Sequence, residues 1–210
     1  MRFDRKRRAP ARVLCALLLC AGLALPAGAA SFTDVKAGSW YEESVQNVVD
    51  AGLMSGTSAT TFSPTGSVTR AMAVTTLWRL AGSPAPKGTD SFSDVPEGTW
   101  YTQAVAWAQE NGIASGNGKG AFQPGSAVTR EQMAVFLYQY ARYAGHDLAN
   151  GVLELYSDQG SISKWARTAM EHAVGAGLIT GSKGKLSPKA TTTRAELAVM
   201  LERMTTPVMG

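Results

Sequence analysis

The sequence predicts a mainly α-helical fold in which three helix-loop-helix repeats form a pseudo-threefold assembly. One observation is a motif that occurs three times, as Val-Thr-Arg ending at Arg70 and Arg130 and as Thr-Thr-Arg ending at Arg194. Another is spacing, because an aspartate stands 36 residues before each of these arginines. The third is periodicity, since apolar residues recur at helical spacing on both sides of a polar loop in every copy. A period held three times indicates copies of one unit, and units of about 50–55 residues are small enough to need a shared core.

We expect four segments, which are a signal peptide at residues 1–29 and repeats at 31–82, 91–145 and 155–204. A basic stretch at 5–8 precedes an apolar run at 13–25, and Ala27 and Ala29 supply the small residues of a cleavage site. The run of about 13 residues is shorter than the roughly 20 that a spanning helix needs. The sequence therefore predicts export, cleavage after Ala29 and no membrane span in the mature chain.

Charge and cysteine content narrow the possible functions. Residues 1–29 hold six of the 20 Lys and Arg but one of the 16 Asp and Glu, so the remainder carries a net charge of −1. A basic nucleic-acid surface is therefore not predicted. Both cysteines, Cys15 and Cys20, lie in the signal. The mature chain is thus predicted to lack disulfides, thiolate nucleophiles and cysteine metal ligands.

Each repeat opens with an aromatic residue and an aspartate, followed by a tryptophan: Phe32, Asp34 and Trp40; Phe92, Asp94 and Trp100; Tyr156, Asp158 and Trp165. An amphipathic first helix comes next. Its predicted apolar face is Val45, Val48 and Val49; Trp100, Ala104, Trp107 and Ala108; Trp165, Ala169, Ala173 and Val174. We expect the helix to end at a glycine in the left-handed conformation, with another glycine four residues later. The two sets are Gly52, Gly112 and Gly177, then Gly56, Gly116 and Gly181.

The second helix of each repeat follows a polar loop and begins at the recurring arginine. Its predicted N-caps are Thr69, Thr129 and Thr193. A Gln or Glu three residues later completes a capping box in the second and third repeats, whereas the first repeat has Met72 there. The predicted apolar faces are Ala73, Leu77 and Leu80; Met133, Phe136, Leu137 and Tyr140; Leu197, Met200, Leu201 and Met204. Residues 83–90 and 146–154 are interpreted as linkers.

The order Phe-x-Asp-Val, Trp-Tyr, Gly-Leu/Ile-x-x-Gly, Phe-x-Pro and Thr-Arg-Ala-Glu resembles the S-layer homology (SLH) domain over about residues 31–204. This resemblance implies a three-pronged spindle around a central three-helix bundle. It also implies grooves between the prongs that bind secondary cell-wall polysaccharide, often through a pyruvylated sugar. By the same resemblance, the ligand-binding candidates are Asp34, Trp40, Gly56, Arg70, Asp94, Trp100, Gly116, Arg130, Asp158, Trp165, Gly181 and Arg194. A pyruvate ketal carries a carboxylate, which suits a guanidinium at a helix N-terminus.

This chain departs from the family pattern at four positions. The Glu of Thr-Arg-Ala-Glu is Met72 in the first repeat and Gln132 in the second, Gln159 replaces the expected valine, and Thr192 replaces an apolar residue. These differences weaken the expectation that all three grooves bind equally, but because each repeat keeps its arginine, no groove is predicted to be inactive.

The residue types leave other roles open. The arginines could pair with acidic neighbours instead of a ligand, and we favour turn formation over direct ligand contact for the aspartates. The tryptophans fit a core position and a sugar platform equally well. The glycines of the second set could mark a tight turn or admit a ligand close to the backbone.

We expect a non-catalytic anchoring module, secreted to the cell wall, whose partner is secondary cell-wall polymer or peptidoglycan. No cofactor, metal or catalytic residue is predicted, since His146 and His172 have no repeated partner and no nucleophile elbow or phosphate loop occurs. One alternative is a structural protein of the cell surface or S-layer that binds other proteins. Another is a wall-glycan hydrolase with an unrecognised carboxylate pair.

Overall fold

The computed structural model describes residues 32–88 and 92–205, so the predicted signal peptide lies outside the described residues. Two α-helices fall in each repeat: α1 (Glu42–Asp50) and α2 (Arg70–Leu80), α3 (Thr102–Glu110) and α4 (Arg130–Ala144), α5 (Arg167–Gly175) and α6 (Arg194–Thr205). The third repeat adds short 3-10 turns at Leu153–Leu155, Gln159–Ser161 and Lys164–Ala166. The predicted mainly α fold class is confirmed. None of the helices in the described ranges is long and apolar enough to cross a membrane.

The first helices bury one apolar face and stop at a glycine. In α1, Val45 and Val48 are buried, and Gly52 follows the helix with φ of +69°. Gly112 and Gly177 take the same left-handed conformation after α3 and α5, a region that a side chain disfavours and glycine does not. The predicted helix stops are therefore confirmed.

Trp100 and Trp165 do not lie on these buried faces, and that part of the prediction is wrong, whereas Trp107 is buried in α3 as predicted. Trp100 precedes α3 and Trp165 lies in a 3-10 turn before α5, and their exposed fractions are 59% and 60%. Each α-helix begins two residues after its tryptophan, so the helical period does not extend back to Trp100 or Trp165. In the first two repeats the following tyrosine contacts the core instead, and the Trp100 ring packs edge-on against Tyr101 at 5.1 Å between centroids.

The second helices begin at their predicted threonine caps. Thr69 Oγ1 accepts the Met72 N–H at 3.2 Å, without a reciprocal contact. Thr129 and Gln132 form a complete capping box. In α6 the Glu196 carboxylate accepts the Thr193 N–H at 2.7 Å while Thr193 Oγ1 accepts the Glu196 N–H at 3.3 Å. Both predicted capping boxes are confirmed.

Helices pack chiefly with helices of other repeats. The most extensive pairs are α1 with α6, α2 with α3, and α4 with α5. Each first helix therefore lies on the second helix of the preceding repeat, and α1 completes the cycle on the last helix. Because first and last repeats are joined in this way, the assembly is closed, as expected, rather than an open solenoid.

A ring of backbone hydrogen bonds joins the three repeats where the second helices begin. Val68 N–H donates to Thr192 O at 2.9 Å, Thr192 N–H to Val128 O at 2.8 Å, and Val128 N–H to Val68 O at 2.9 Å. All three residues are completely buried. Since each donor belongs to one repeat and each acceptor to another, the ring carries the pseudo-threefold symmetry at the backbone level. The N–H groups of Arg70, Arg130 and Arg194 extend it to Ser126, Ala190 and Gly66.

Residues 146–154, which the sequence indicated as a linker, pack against the core and against α5. Leu153 is buried in its 3-10 turn, and the Gly151 N–H donates to Glu171 O on α5 at 2.9 Å. A Cβ on Gly151 would lie 2.5 Å from the backbone nitrogen of Gly175, so glycine is required where the two segments touch. Sequence composition did not indicate this packing because it depends on a contact with α5.

Candidate binding grooves

The three aspartates fold the loop that precedes each second helix. Asp94 accepts the N–H groups of Phe122 and Gln123, both at 2.7 Å. Asp34 makes the same pair of bonds to Phe62 and Ser63, and Asp158 to Leu186 and Ser187. None of the three aspartates lines one of the grooves described below. Their observed contacts are those of the turn-forming role that the sequence favoured.

These hydrogen bonds lower the pKa of each aspartate. For Asp34 the bond from the Phe62 N–H is the largest cause. For Asp94 and Asp158 burial is the largest single effect and raises the pKa, but backbone hydrogen bonds and a nearby cation lower it, and the net shift is downward. The carboxylates are therefore held in the charged form that accepts both N–H groups.

Each arginine reaches from its own helix start to the loop of the next repeat. Nε donates to the carbonyl of the residue that ends the neighbouring polar loop, at 2.7–2.8 Å. Nη2 donates, at 2.6–3.0 Å, to the carbonyl of the residue directly before Gly116, Gly181 or Gly56. The acceptors are Phe122 and Ser115 for Arg70, Leu186 and Thr180 for Arg130, and Phe62 and Ser55 for Arg194. The guanidinium groups thus join the repeats, a role that the sequence did not predict.

Burial lowers the pKa of Arg70 and Arg194, and the carboxylates of Asp94 and Asp34 oppose that shift. Arginine remains protonated under such conditions. Each of these two guanidinium groups lies over a phenylalanine ring, Arg70 at 4.6 Å from the centroid of Phe122 and Arg194 at 4.5 Å from that of Phe62. These two cations are therefore held in place by contacts within the protein.

Three grooves of similar size are each lined by one of these arginines. Groove A is defined by Gly56, Trp100 and Arg194, groove B by Gly116, Trp165 and Arg70, and groove C by Gly181, Trp40 and Arg130. Their volumes are about 460, 500 and 480 Å³ respectively. Every groove takes its glycine, tryptophan and arginine from three different repeats. The four candidates of one repeat are therefore not brought together in one site.

A tryptophan and a glycine line each groove. Trp40, like Trp100 and Trp165, is largely exposed, with 65% of its surface accessible. The glycine of each groove lies against the opening aromatic ring of its own repeat. A Cβ on Gly56 would stand 2.6 Å from Cε1 of Phe32. The glycines are thus required by packing inside the protein, and the resulting backbone surface faces the groove.

The grooves differ at the third position of the second helix, which the sequence indicated as a capping position and, in the first two repeats, as a departure from the family pattern. Met72 lines groove A, Gln132 groove B and Glu196 groove C. Glu196 forms an ion pair with Nη1 of Arg130. Among the described residues, Nη1 of Arg70 and Nη1 of Arg194 make no hydrogen bond.

Further groove residues were not singled out from the sequence. Seven positions after that third residue, each helix contributes another side chain, which is Arg79 in groove A, Gln139 in groove B and Arg203 in groove C. A spacing of seven returns to the same helix face, and this signal could have identified them once the third position was placed in the groove.

The described residues do not bring three or more His, Asp and Glu side chains together in a way that could hold a metal ion. His172 stacks on Tyr138 at 4.7 Å between ring centroids, and its Nδ1 lies 2.8 Å from Leu148 O. These contacts fit a packing role for the histidine.

A family model described as the S-layer homology domain matches this chain at residues 31–73, 91–134 and 155–198. These segments cover more than half of the chain. Among similar proteins, a surface-layer 125 kDa protein of Lysinibacillus sphaericus is 33% identical over 193 residues, which are 90% of this chain and 16% of that protein. An endoglucanase of Bacillus sp. (strain KSM-635) is 34% identical over 82% of this chain and 18% of its own length. The S-layer protein EA1 of Bacillus anthracis is 30% identical over 86% of this chain and 21% of its own length. The chain thus spans less than a quarter of each of these relatives.

Proposed function

Since this chain belongs to the S-layer homology domain family, we propose that it is a secreted, non-catalytic module that binds an anionic secondary cell-wall polysaccharide in grooves A, B and C. Domains of this family anchor S-layer and other cell-surface proteins to the cell wall and are themselves non-catalytic. The relatives named above include two surface-layer proteins and an enzyme. Most of that enzyme lies outside the matched segment, which supports an attachment role for the shared part.

The observation that carries the proposal is the combination of an exposed tryptophan and a fixed arginine in every groove. An aromatic ring of this kind offers an apolar face to a sugar. The guanidinium beside it offers hydrogen-bond donors and a positive charge, which suit a carboxylate. A sugar bearing a pyruvate ketal has both features, and we propose such a group as the anionic element of the ligand.

The test is co-sedimentation of residues 30–210 with purified cell-wall sacculi, before and after chemical removal of the attached polymer. We expect pelleting that is lost with the polymer. Pelleting that survives polymer removal would instead identify peptidoglycan as the ligand. If the protein stays in the supernatant in both experiments, the polysaccharide proposal is wrong and a protein partner becomes the better hypothesis.

Variants at the tryptophans separate groove binding from folding. The arginines are poor targets because they also join the repeats through backbone carbonyls. Replacing Trp40, Trp100 and Trp165 together by alanine removes exposed rings, so the fold should survive while pelleting falls at least tenfold. The control is Leu155→Ala, which removes a side chain that is 76% exposed and lines none of the three grooves. Equal pelleting by both variants would show that the grooves are not the binding sites.

A further inference from the structure

We propose that a basic turn in the third repeat, Ser182–Lys185, extends groove C into a contact for a second acidic sugar of the same polysaccharide chain. This inference rests on the proposed function in taking groove C as a ligand site. It adds Lys183 and Lys185 to that site and identifies its ligand as a polymer with more than one carboxylate.

Positive charge is concentrated in the third repeat. Residues 155–204 contain seven Lys and Arg and four Asp and Glu, which is a net charge of +3. Residues 31–82 and 91–145 each contain three Lys and Arg and four Asp and Glu, which is a net charge of −1. Clustered charges of one sign raise the local concentration of oppositely charged ligands. Of the three repeats, the third is therefore the one that attracts a polyanion.

Part of this excess charge lies in the loop that borders groove C. Lys183 and Lys185 belong to this loop, and both are exposed. The corresponding loop of the first repeat, residues 57–61, has no charged residue, and that of the second, residues 117–121, has Lys119 alone. Lys185 lines groove C, whereas Lys119 lines none of the three grooves. Groove C is thus bordered by lysines in a way that grooves A and B are not.

The two lysines of the basic turn are not engaged within the protein. In the described part of the chain, neither ammonium group forms a hydrogen bond or an ion pair. Lys189, by contrast, is bound, since its Nζ lies 2.6 Å from Oε1 of the buried Glu131. Asp158 interacts with Lys185 through charge, but both oxygens of this carboxylate already accept backbone N–H groups. Lys183 and Lys185 are therefore available to bind an anion.

The backbone of the basic turn displays these side chains. Ser182 and Lys185 exchange backbone hydrogen bonds at 2.9 and 3.0 Å, which close a two-residue hairpin. The central residues, Lys183 and Gly184, have φ of +50° and +71°, and both values are positive as in a type I′ turn. Asparagine followed by glycine is the usual pair in such a turn, and lysine is uncommon at positive φ. The turn itself does not explain a lysine at 183, whose distinctive contribution is its charge.

Groove C therefore presents cations that differ in exposure. Arg130 is buried, with 7% of its surface accessible, while Lys185 lines the same groove and is exposed. In a polymer that repeats its acidic group, one carboxylate beside Arg130 leaves the next one for the exposed lysines. Ion pairs at exposed sites are individually weak. The basic turn should consequently strengthen the binding of a polymer several-fold without creating a site for a single acidic sugar.

The basic turn allows its charge to be removed without damage to the backbone. Lys183→Asn introduces the side chain that a type I′ turn favours, and Lys185→Gln keeps part of the aliphatic stem. The double variant should retain the circular dichroism and the melting temperature of the wild type. The control is Lys36→Gln combined with Lys119→Gln, which removes two exposed lysines that line none of the three grooves. Both double variants lose the same charge, so a general effect of net charge would alter both equally.

The experiment is a titration of residues 30–210 with methyl α-D-galacturonide and with tetragalacturonide, which are a monomer and an oligomer of one acidic sugar. The backbone amide NMR signals of Gly181 and Gly184 report on groove C and on the basic turn. In the wild type we expect the oligomer to shift these signals at lower concentration than the monomer. In Lys183→Asn/Lys185→Gln the affinity for the oligomer should fall about fivefold, and that for the monomer should change by less than about twofold. The control variant should bind both probes as the wild type does.

Three results would overturn the inference. They are an absence of response to the oligomer at Gly181 and Gly184, equal affinities of the two double variants for the oligomer, or an oligomer that binds the wild type no more tightly than the monomer. Co-sedimentation with sacculi separates this failure from failure of the proposed function. Polymer-dependent pelleting that is equal for both double variants would leave anchoring intact and reject the role of the basic turn. Absence of wild-type pelleting would reject the proposed function, and the titration would still decide whether the basic turn binds acidic sugars.

Discussion

At the scale of single residues, equivalent positions in the three repeats differ in how well their polar groups are satisfied. Thr192 occupies the ring position that is valine in the other two repeats, and it is completely buried. Its backbone joins the ring as Val68 and Val128 do, but its hydroxyl finds no partner within the described part of the chain. A buried hydroxyl in this situation costs free energy that valine, of nearly the same shape, avoids.

We therefore expect Thr192→Val to raise the free energy of unfolding by about 1 kcal/mol. Urea unfolding followed by circular dichroism would measure it. The reciprocal variant, Val128→Thr, places a second buried hydroxyl in the ring and should lower stability by a similar amount. A loss of stability in Thr192→Val would show that the hydroxyl has a partner after all.

The aspartates make stability depend on pH. Asp94 has a pKa below its ordinary value in the folded protein: burial, the largest single effect, raises it, but backbone hydrogen bonds, chiefly from the Phe122 and Gln123 N–H groups, and the charge of Arg70 lower it further than burial raises it. A group of this kind stabilises the fold above its unfolded pKa of about 3.9, and the contribution is lost as pH falls through the folded pKa. Asp34, Asp158 and Glu131 are shifted in the same direction.

We expect wild-type stability to fall below about pH 4 as these carboxylates protonate. Asp94→Asn should lower stability at pH 7 by about 1–2 kcal/mol, because one charged acceptor of two N–H groups is lost. The variant should then lose less than the wild type between neutral and acid pH, without becoming independent of pH. Urea midpoints at several pH values give the comparison, and parallel curves for the two proteins would contradict the assignment.

At the scale of elements, the sequence identified most of what holds each repeat together. Caps, helix stops and the aspartate turn depend on contacts within one repeat, so a regular spacing was enough to find them. The exposure of Trp100 could not be predicted in this way, since a period of 3.6 residues does not show where the first turn of a helix begins. The role of Gly116 was likewise left open, because its neighbour Phe92 lies 24 positions earlier in the chain.

The loop glycines offer a test of this packing. In Gly116→Ala the new Cβ would overlap the ring of Phe92 and stand 2.6 Å from Ala121 O. We expect a loss of about 1–3 kcal/mol in the free energy of unfolding. Gly125→Ala is the matched control, since a Cβ there meets no atom within 4 Å. Similar stabilities for the two variants would mean that the loop can move away from Phe92.

At the scale of the whole molecule, the sequence predicted the repeats and their pseudo-threefold assembly but not which helices pair between repeats. Apolar periodicity marks the face that a helix buries, and it does not say which helix covers that face. The pairing of α1 with α6, at opposite ends of the described chain, is therefore a result of the structure alone. For the same reason the sequence named the groove residues repeat by repeat, whereas each groove draws on all three repeats.

The closed packing predicts that part of the molecule does not fold alone. A fragment ending at residue 150 lacks α5 and α6, so α4 and α1 lose their main partners. We expect it to show reduced helical circular dichroism and no cooperative urea transition. Adding a second fragment, residues 151–205, should restore both signals at equimolar ratio. A cooperative transition of the shorter fragment alone would show that the repeats are independent folding units.

The arrangement also means that one repeat, which is the unit that a gene duplication would copy, is not the unit that forms a groove. A duplication or deletion in the gene adds or removes one repeat, which holds the glycine of one groove, the arginine of a second and the tryptophan of a third. An added fourth copy could not bring a complete new groove with it, and it would have to open the backbone ring of Val68, Val128 and Thr192 to enter. In this closed ring the three repeats therefore form three grooves jointly, and a substitution in one repeat can alter a groove that takes its other residues from the two remaining repeats.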